Sequence, residues 1–158
     1  MAAKKSAKTS RAKKAAPKAK SASAKPGVSG PPLALSSAAP SFTVNNLAKS
    51  VSFYRDVLGF SVEQTWDEKG KIVGVALRAG DVSFMIGQDD WKKGRARKKG
   101  VGFRMYCTTS RDVDTIAKGI RSRGGKLDHG PKDEPWGVRD IAVTDPDGFK
   151  ITIAAPRG

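Results

Sequence analysis

The sequence predicts an α+β domain made of two copies of a βαβββ unit and preceded by a basic tail. Two observations predict this fold. Apolar residues alternate in some segments, which is typical of half-buried strands, and recur at i, i+4 and i+7 in others, which is typical of helices. These patterns come in the same order twice, in modules at about 41–90 and 100–155. We therefore divide the chain into a tail and linker, residues 1–37, and one domain, residues 38–158.

The tail is rich in Lys, Ala, Ser and Pro, and its first thirty residues include nine basic and no acidic side chains. The whole chain has 30 Lys and Arg against 15 Asp and Glu, so the domain itself is only moderately basic. A segment with so little apolar surface is expected to be disordered. Residues 1–25 either make weak, salt-sensitive contacts with nucleic acid or another polyanion, or form a solubilising extension.

The remaining composition limits the class of protein. A single cysteine, Cys107, allows no intramolecular disulfide. No run of residues approaches the roughly 20 apolar side chains that span a bilayer. The short apolar segment at 33–35 is not long enough for a secretory signal. We therefore expect a cytoplasmic protein with no membrane partner.

The first module begins with a strand at 41–44. Asn45 or Asn46 then caps a helix that Gly59 ends. The apolar residues of that helix form one stripe: Leu47, Val51, Tyr54 and Leu58. Alternating side chains predict three strands after it, at about 60–65, 71–78 and 82–86. The segment that joins the modules, Trp91 to Gly100, has six basic residues between positions 92 and 99.

The second module repeats this order. Alternating apolar residues predict a strand at 103–107, and Cys107 falls on its core side as a small apolar residue. Thr109 or Ser110 is expected to cap a helix that ends at Gly124–Gly125. Three strands follow: about 126–129, 138–144 and 149–154. Between the last two, Asp145-Pro146-Asp147-Gly148 has the composition of a turn, so its two carboxylates are expected to shape the chain and not to catalyse.

Two motifs, SVSFYRDVLGF after VNNL and PWGVRDIAVTDPDGFKI, resemble those of the vicinal oxygen chelate superfamily. This is the group of glyoxalase I, extradiol dioxygenases, and bleomycin- and fosfomycin-resistance proteins. The resemblance covers about residues 38–156. It implies two modules that form a curled mixed sheet around a cleft, and a homodimer that completes the cleft.

Metal-dependent members carry His or Glu ligands on four strands that face the cleft. Carried over to this sequence, the resemblance places those positions at Ala39, Met85, Gly102 and Thr152. None of these side chains is a good ligand for Zn, Fe or Mn. The single histidine, His129, is expected to be an exposed residue near a strand end. The sequence therefore predicts no metal and no other cofactor, and it argues against an enzyme.

By alternation, the polar face of the predicted sheet is turned toward the cleft. The predicted ligand-binding residues are Met85, Arg104, Tyr106, Trp136, Lys150 and Thr152. Two cations among aromatic residues predict a small ligand with an anionic group and a flat or apolar body. Arg78 is a further candidate. The alternative is that Arg104 and Lys150 are solvated or paired with an acid such as Asp140, and that Trp136 packs within its own module.

Three hypotheses of function remain from the sequence. The first is a metal-independent protein that binds a small organic ligand, as bleomycin-resistance proteins do, although a basic cleft suits cationic bleomycin poorly. The second is a lyase or dioxygenase-like enzyme of the same superfamily with unrecognised metal ligands. The third is a protein that associates with DNA or another polyanion through its basic tail.

Overall fold

The computed structural model describes residues 34–157, so the predicted disordered tail falls almost entirely outside the described residues. The compact unit that contains all the described strands and helices begins at Ser36. The predicted α+β fold of two βαβββ modules is confirmed. Within residues 34–157, no helix has the length and apolarity needed to cross a membrane.

Each module folds as a strand, a helix and three further strands. The first module comprises β1 (Ser41–Val44), α1 (Leu47–Ser52, continued as a π-helix over Phe53–Leu58), β2 (Ser61–Glu68), β3 (Lys71–Ala79) and β4 (Val82–Gln88). The second comprises β5 (Arg104–Thr108), α2 (Val113–Ser122), β6 (His129–Glu134), β7 (Val138–Thr144) and β8 (Lys150–Pro156).

Each module forms one four-stranded mixed sheet. The strand orders are β1-β4-β3-β2 in the first sheet and β5-β8-β7-β6 in the second. The first strand of each module pairs in parallel with the last, and the other neighbours are antiparallel. The same topology in both sheets explains why the sequence patterns repeat.

The first helix begins where the sequence predicts, because Asn46 Oδ1 accepts a hydrogen bond from the Lys49 amide at 3.0 Å. It ends at Gly59, which has a φ of 88° that favours glycine. The prediction of Thr109 or Ser110 as the cap of α2 is wrong. Asp112 takes that role, since its Oδ2 accepts from both the amide and the hydroxyl of Thr115.

The sixth strand also differs from the prediction. We expected it to end at His129 because Gly130 and Pro131 follow, but β6 begins at His129 and runs through both residues to Glu134. A proline is tolerated here because β6 is an edge strand, paired only with β7. The pairing shifts register between His129 and Lys132, which is typical of a bulge.

The larger of two apolar clusters in the core has residues from both modules. Phe84 and Ile86 of β4 are buried together with Met105 of β5 and Ile151 of β8. Phe42 links the two sheets, because its ring centroid lies 4.2 Å from that of Phe149. The apolar faces of the strands therefore pack with the helices, and the polar faces remain on the other side of each sheet.

The turn between β7 and β8 connects the second module to the first helix. The buried Tyr54 hydroxyl donates a hydrogen bond to Asp145 Oδ2 at 2.9 Å. Oδ1 of the same carboxylate accepts from the backbone amides of Asp147 and Phe149. Asp147 in turn accepts from the Asn45 amide at 2.9 Å and the Ser50 hydroxyl at 3.1 Å. Both aspartates of the turn therefore hold α1 against it.

Burial determines the ionisation of the pair at the centre of this contact. It raises the pKa of the Tyr54 hydroxyl well above its ordinary value, and the nearby carboxylate of Asp145 acts in the same direction. Burial also raises the pKa of Asp145, against the effect of its hydrogen bonds. Tyr54 is therefore fixed as a neutral donor, which is the form that the contact requires.

The end of the joining segment packs against the same turn. A Cβ atom added at Gly100 would lie 2.1 Å from the carbonyl oxygen of Gly148, and Gly100 also has a φ of 70°. Only glycine fits both the backbone conformation and the close approach. The position of the turn therefore constrains the path of the chain into β5.

We expect Tyr54→Phe to lower the free energy of unfolding by about 1 to 3 kcal/mol, because it leaves one oxygen of a buried carboxylate without its donor. Tyr106→Phe is the matched control, since the Tyr106 side chain is 49% exposed. Urea denaturation followed by circular dichroism measures both changes. Equal effects of the two substitutions would show that the Tyr54–Asp145 contact does not stabilise the fold.

Replacement of two glycines by alanine tests the close approach at the turn. Gly94 and Gly100 both have positive φ, but an added Cβ at Gly94 meets no atom within 4 Å. Each Gly→Ala change is expected to cost about 1 to 2 kcal/mol from backbone conformation. Gly100→Ala should cost a further amount of about 1 to 3 kcal/mol from overpacking. Similar unfolding midpoints for the two variants would contradict this packing.

Candidate functional site

The second sheet has one face turned away from its helix. Val113, Ala117 and Ile120 of α2 pack against Ile141 of β7. Because side chains alternate along a strand, those next to Ile141 point to the opposite side of the sheet. We call this side, with the residues in register on the neighbouring strands, the open face. Its residues are Arg104, Tyr106, Thr108, His129, Lys132, Asp140, Ala142, Thr144, Lys150, Thr152 and Ala154.

Four of the predicted ligand-binding residues lie together on this face. Arg104 pairs with Lys150 in the parallel register of β5 and β8, and Tyr106 pairs with Thr152 one step further along. The Arg104 Nη1 atom donates a hydrogen bond to the hydroxyl oxygen of Thr152 at 2.6 Å. The two cationic side chains therefore start from adjacent strands, and the guanidinium leans toward the middle of the sheet.

The other predicted residues lie elsewhere. Met85 is on β4 of the first sheet, opposite Ser41 and Ala76. Trp136 lies in the turn between β6 and β7 with its side chain 65% exposed. Arg78, the further candidate, pairs with Glu63 at 2.7 Å. The structure brings none of these three residues onto the β5–β8 pair.

Small side chains line the middle of the open face, and longer ones surround them. Thr152, Ala142 and Ala154 are buried although they point away from the core. Arg104, Tyr106 and Lys132 are exposed around them. The arrangement gives a shallow floor with a cationic and aromatic rim, which suits a flat molecule lying across the strands.

A cavity of about 470 Å³ opens where β5 and β8 begin. Its lining includes Arg104 and Lys150, the Gly100–Phe103 segment and Gly148 of the turn. Lys99 also lines it, but its ammonium group is buried against the carboxylate of Asp89. Arg104 and Lys150 differ from Lys99, because neither pairs with a carboxylate of the described residues. These two provide the charge of the cavity.

Asp89 anchors the basic joining segment. Its Oδ2 accepts hydrogen bonds from the Lys99 ammonium and, at 2.7 Å, from Arg97 Nη2. The backbone amide of Trp91 donates to Oδ1. Together these donors hold the pKa of Asp89 well below its ordinary value, with the Lys99 bond the largest cause. The joining segment therefore has a fixed origin at the end of β4.

The sequence did not identify two polar residues of the open face as site residues. The sequence suggests Asp140 only as a partner for Arg104 or Lys150, and it predicts an exposed His129 near a strand end. His129 is instead half-buried at the start of β6, in register with Ala142, and its Nδ1 lies 3.9 Å from Asp140 Oδ1. The alternation of β7 could have placed Asp140 here, because it is in register with Ala154.

The residues at the metal-ligand positions implied by the family resemblance do not fit a divalent cation. Ala39, Met85 and Gly102 offer no imidazole or carboxylate, and the hydroxyl of Thr152 accepts a hydrogen bond from a guanidinium. A fixed positive charge at this position repels a metal ion. No group of three or more His, Cys, Asp and Glu side chains within residues 34–157 could hold one.

Cys107 and Asp145 have structural surroundings. Cys107 packs beside the apolar core, and burial raises the pKa of its thiol, which disfavours the reactive thiolate. Asp145 is only 4% exposed and bound to Tyr54. Both environments agree with the expectation that these residues belong to the core and to the turn.

Comparison with known proteins adds a family and a fold. Residues 36–153 match the family model described as the Glyoxalase/Bleomycin resistance protein/Dioxygenase superfamily. A search of curated protein sequences gave no match.

Similar solved structures include three bacterial proteins. TnmS3, an antibiotic binding protein from Streptomyces sp. CB03234, is 26% identical with a TM-score of 0.57, over 76% of this chain and 96% of that one. TioX from Micromonospora sp. ML1 is 19% identical with a TM-score of 0.60, over 78% and 98%. A glyoxalase/bleomycin resistance protein/dioxygenase from Nocardioides is 20% identical with a TM-score of 0.59, over 79% and 87%.

The ion pairs of Asp89 predict a specific acid dependence of stability. Because the pKa of Asp89 is lowered in the folded state, its contribution to stability is fully present above its unfolded pKa of about 4 and is lost as the pH falls from there through the lower folded value. Asp89→Asn should therefore lower the unfolding midpoint strongly at pH 7 and less near pH 3. Asp81→Asn, at an exposed carboxylate without an ion pair within residues 34–157, is the control. If Asp89→Asn lowers the unfolding midpoint by the same amount at both pH values, that result would contradict a stabilising role of the Asp89 carboxylate.

Proposed function

Because the chain belongs to the glyoxalase/bleomycin resistance protein/dioxygenase superfamily, we propose that it binds a small anionic organic molecule on its open face without a metal ion. The observation that carries this proposal is the pair of cations at the edge of that face. Arg104 and Lys150 are in register on adjacent strands, and the Arg104 guanidinium is held 2.6 Å from Thr152. Two neighbouring positive charges suit a carboxylate, sulfate or phosphate group.

The charge balance around the pair supports an anionic ligand. Lys99 is neutralised by Asp89, but within residues 34–157 Lys150 makes no ion pair and Arg104 contacts a neutral hydroxyl. Adjacent cations repel one another, and an anion between them relieves that repulsion. The 470 Å³ cavity beside them has room for a small organic anion.

The rim supports a ligand with a flat body. The ring of Tyr106 is 49% exposed and lies next to the Thr152 floor in the register of β5 and β8. Trp136 is exposed at the other end of the sheet, in the turn before β7. Exposed aromatic side chains of this kind stack on planar ligands. The similarity to TnmS3, described as an antibiotic binding protein, also favours small-molecule binding over catalysis.

A lyase or dioxygenase-like enzyme is the alternative, because the superfamily name includes dioxygenases. That function needs a metal, and the donor set described above does not fit one. Metal analysis of the purified protein separates the two proposals. Stoichiometric Zn, Mn, Ni or Fe that survives dialysis against a chelator would favour the enzyme and contradict a metal-independent function.

Association with a polyanion is a separate candidate, favoured by the exposed cations of the joining segment. Lys93 and Lys98 are exposed, and the Arg95 guanidinium lies 4.7 Å from the centre of the Trp91 ring. Such contacts would add to any made by the tail. A steep loss of DNA affinity with increasing salt would support this candidate, and the absence of binding at low ionic strength would exclude it.

We further propose that the protein is a cytoplasmic homodimer. All eight residues of β2 are exposed, and β2 forms the edge of the first sheet. A largely apolar groove of about 710 Å³ lies between α1 and the β2–β3 hairpin, with Val62 and Ile72 exposed within it. An exposed edge beside apolar surface is typical of an interface. Sedimentation equilibrium tests whether a second copy binds.

Titration with two probes of opposite charge tests the proposed ligand class. Benzoate and benzylamine have similar rings but opposite charges, and benzoate should bind more tightly. Changes in the NMR chemical shifts of amides on the open face measure the binding. Arg104→Gln or Lys150→Gln should each weaken benzoate binding roughly tenfold, because each removes a charge-assisted contact. Lys118→Gln, on the exposed side of α2, is the matched control. Tighter binding of benzylamine, or equal effects of all three substitutions, would contradict the proposal.

A further inference from the structure

The open face contains a buried carboxylate oxygen without a hydrogen-bond partner. Asp140 is 4% exposed, and its Oδ1 has no partner within residues 34–157. Its position in register with Ala154 places it on the same face as Arg104 and Thr152. Buried polar atoms are nearly always satisfied, because an unsatisfied one loses its interactions with water. This atom therefore needs a donor that residues 34–157 do not supply.

The neighbouring His129 and Lys132 side chains do not satisfy it. His129 Nδ1 is 3.9 Å from Asp140 Oδ1, which is too long for a hydrogen bond, and lies 3.1 Å from the carbonyl oxygen of Gly130. Lys132 is in register with Asp140, but its ammonium group contacts Glu134 Oε1 at 2.6 Å. Both groups are engaged by other oxygens, so neither supplies a donor to Asp140 Oδ1.

The position of Asp140 relative to Arg104 sets the size of a ligand that reaches both. The Arg104 guanidinium is bound at Thr152, and Asp140 is in register with Ala154, two residues further along β8. Two residues of a strand span about 7 Å and neighbouring strands lie about 4.8 Å apart, so Asp140 on β7 is roughly 8 Å from Thr152 on β8. The floor between Arg104 and Asp140 consists of small side chains, and the ring of Tyr106 lies beside it. A single aromatic ring fits this spacing.

We propose that Asp140 is a second ligand-binding residue, which accepts a hydrogen bond from a hydroxyl or amino group of the ligand. The ligand class is then an aromatic acid with a hydrogen-bond donor at the end of the ring opposite to its anionic group. The anionic group contacts Arg104 and Lys150, and the donor contacts Asp140. This inference rests on the proposed function, since it assumes that the open face holds the anion.

Three related probes test the inference: benzoate, 4-hydroxybenzoate and 2-hydroxybenzoate. Only the 4-hydroxyl group lies at the far end of the ring from the carboxylate. We expect 4-hydroxybenzoate to bind the protein at least about tenfold more tightly than benzoate, because its hydroxyl donates to a charged and buried acceptor. The 2-hydroxyl group lies beside the carboxylate and should give no comparable gain.

Asp140→Asn and Asp140→Ala should each bring the ratio of the benzoate and 4-hydroxybenzoate Kd values toward one. Far-UV circular dichroism checks that both variants fold. If Asp140→Ala fails to fold, Asp140→Asn still serves as the test, because it keeps the size of the side chain. Equal affinity of the protein for benzoate and 4-hydroxybenzoate overturns the role of Asp140 and leaves the proposed anion site intact. A preference that persists in both variants also overturns that role. Failure of all three acids to bind overturns both proposals.

Discussion

The buried hydrogen bond from Tyr54 to Asp145 is the contact on which the rest of the structure depends. It joins the first helix to the turn before the last strand, across 91 positions of sequence. The turn also binds the Asn45 amide just before α1 through Asp147, and it leaves room for Gly100 alone at its surface. One short segment therefore fixes the first helix, the entry to β5 and the start of β8.

The candidate site follows from this arrangement. Strand β8 begins at Lys150, two residues after the turn ends at Gly148, and pairs with β5 from its first residue. The register of these two strands puts Arg104 beside Lys150 and places Thr152 within reach of the guanidinium. A shift by one residue would turn these side chains into the core. Packing at the turn and charge on the open face are thus parts of one constraint.

Much of the fold could be predicted from the sequence, because alternation and helical spacing are local signals. The strands at 138–144 and around Met105 follow directly from that alternation. The strand β6 could not be predicted in the same way. Its Gly130 and Pro131 act as breakers in most contexts, and only its position at the edge of the sheet makes them acceptable. The cap of α2 was also hard to predict, because Thr109, Ser110 and Asp112 are all suitable cap residues and lie within four positions.

The candidate site was less predictable for a similar reason. Alternation was enough to place Arg104, Tyr106, Lys150 and Thr152 on one face, but not to show which charges find partners. Lys99 is neutralised by a carboxylate ten positions away, whereas Asp140 keeps a free oxygen although a lysine faces it. Such pairing depends on side-chain geometry across strands. It also determines whether the face attracts an anion or a metal ion.

The most direct test of the account is the crystal structure of the protein purified without any added ligand. We expect electron density for an organic anion in contact with Arg104 and Lys150 on the open face. A metal ion coordinated by side chains of that face would contradict it.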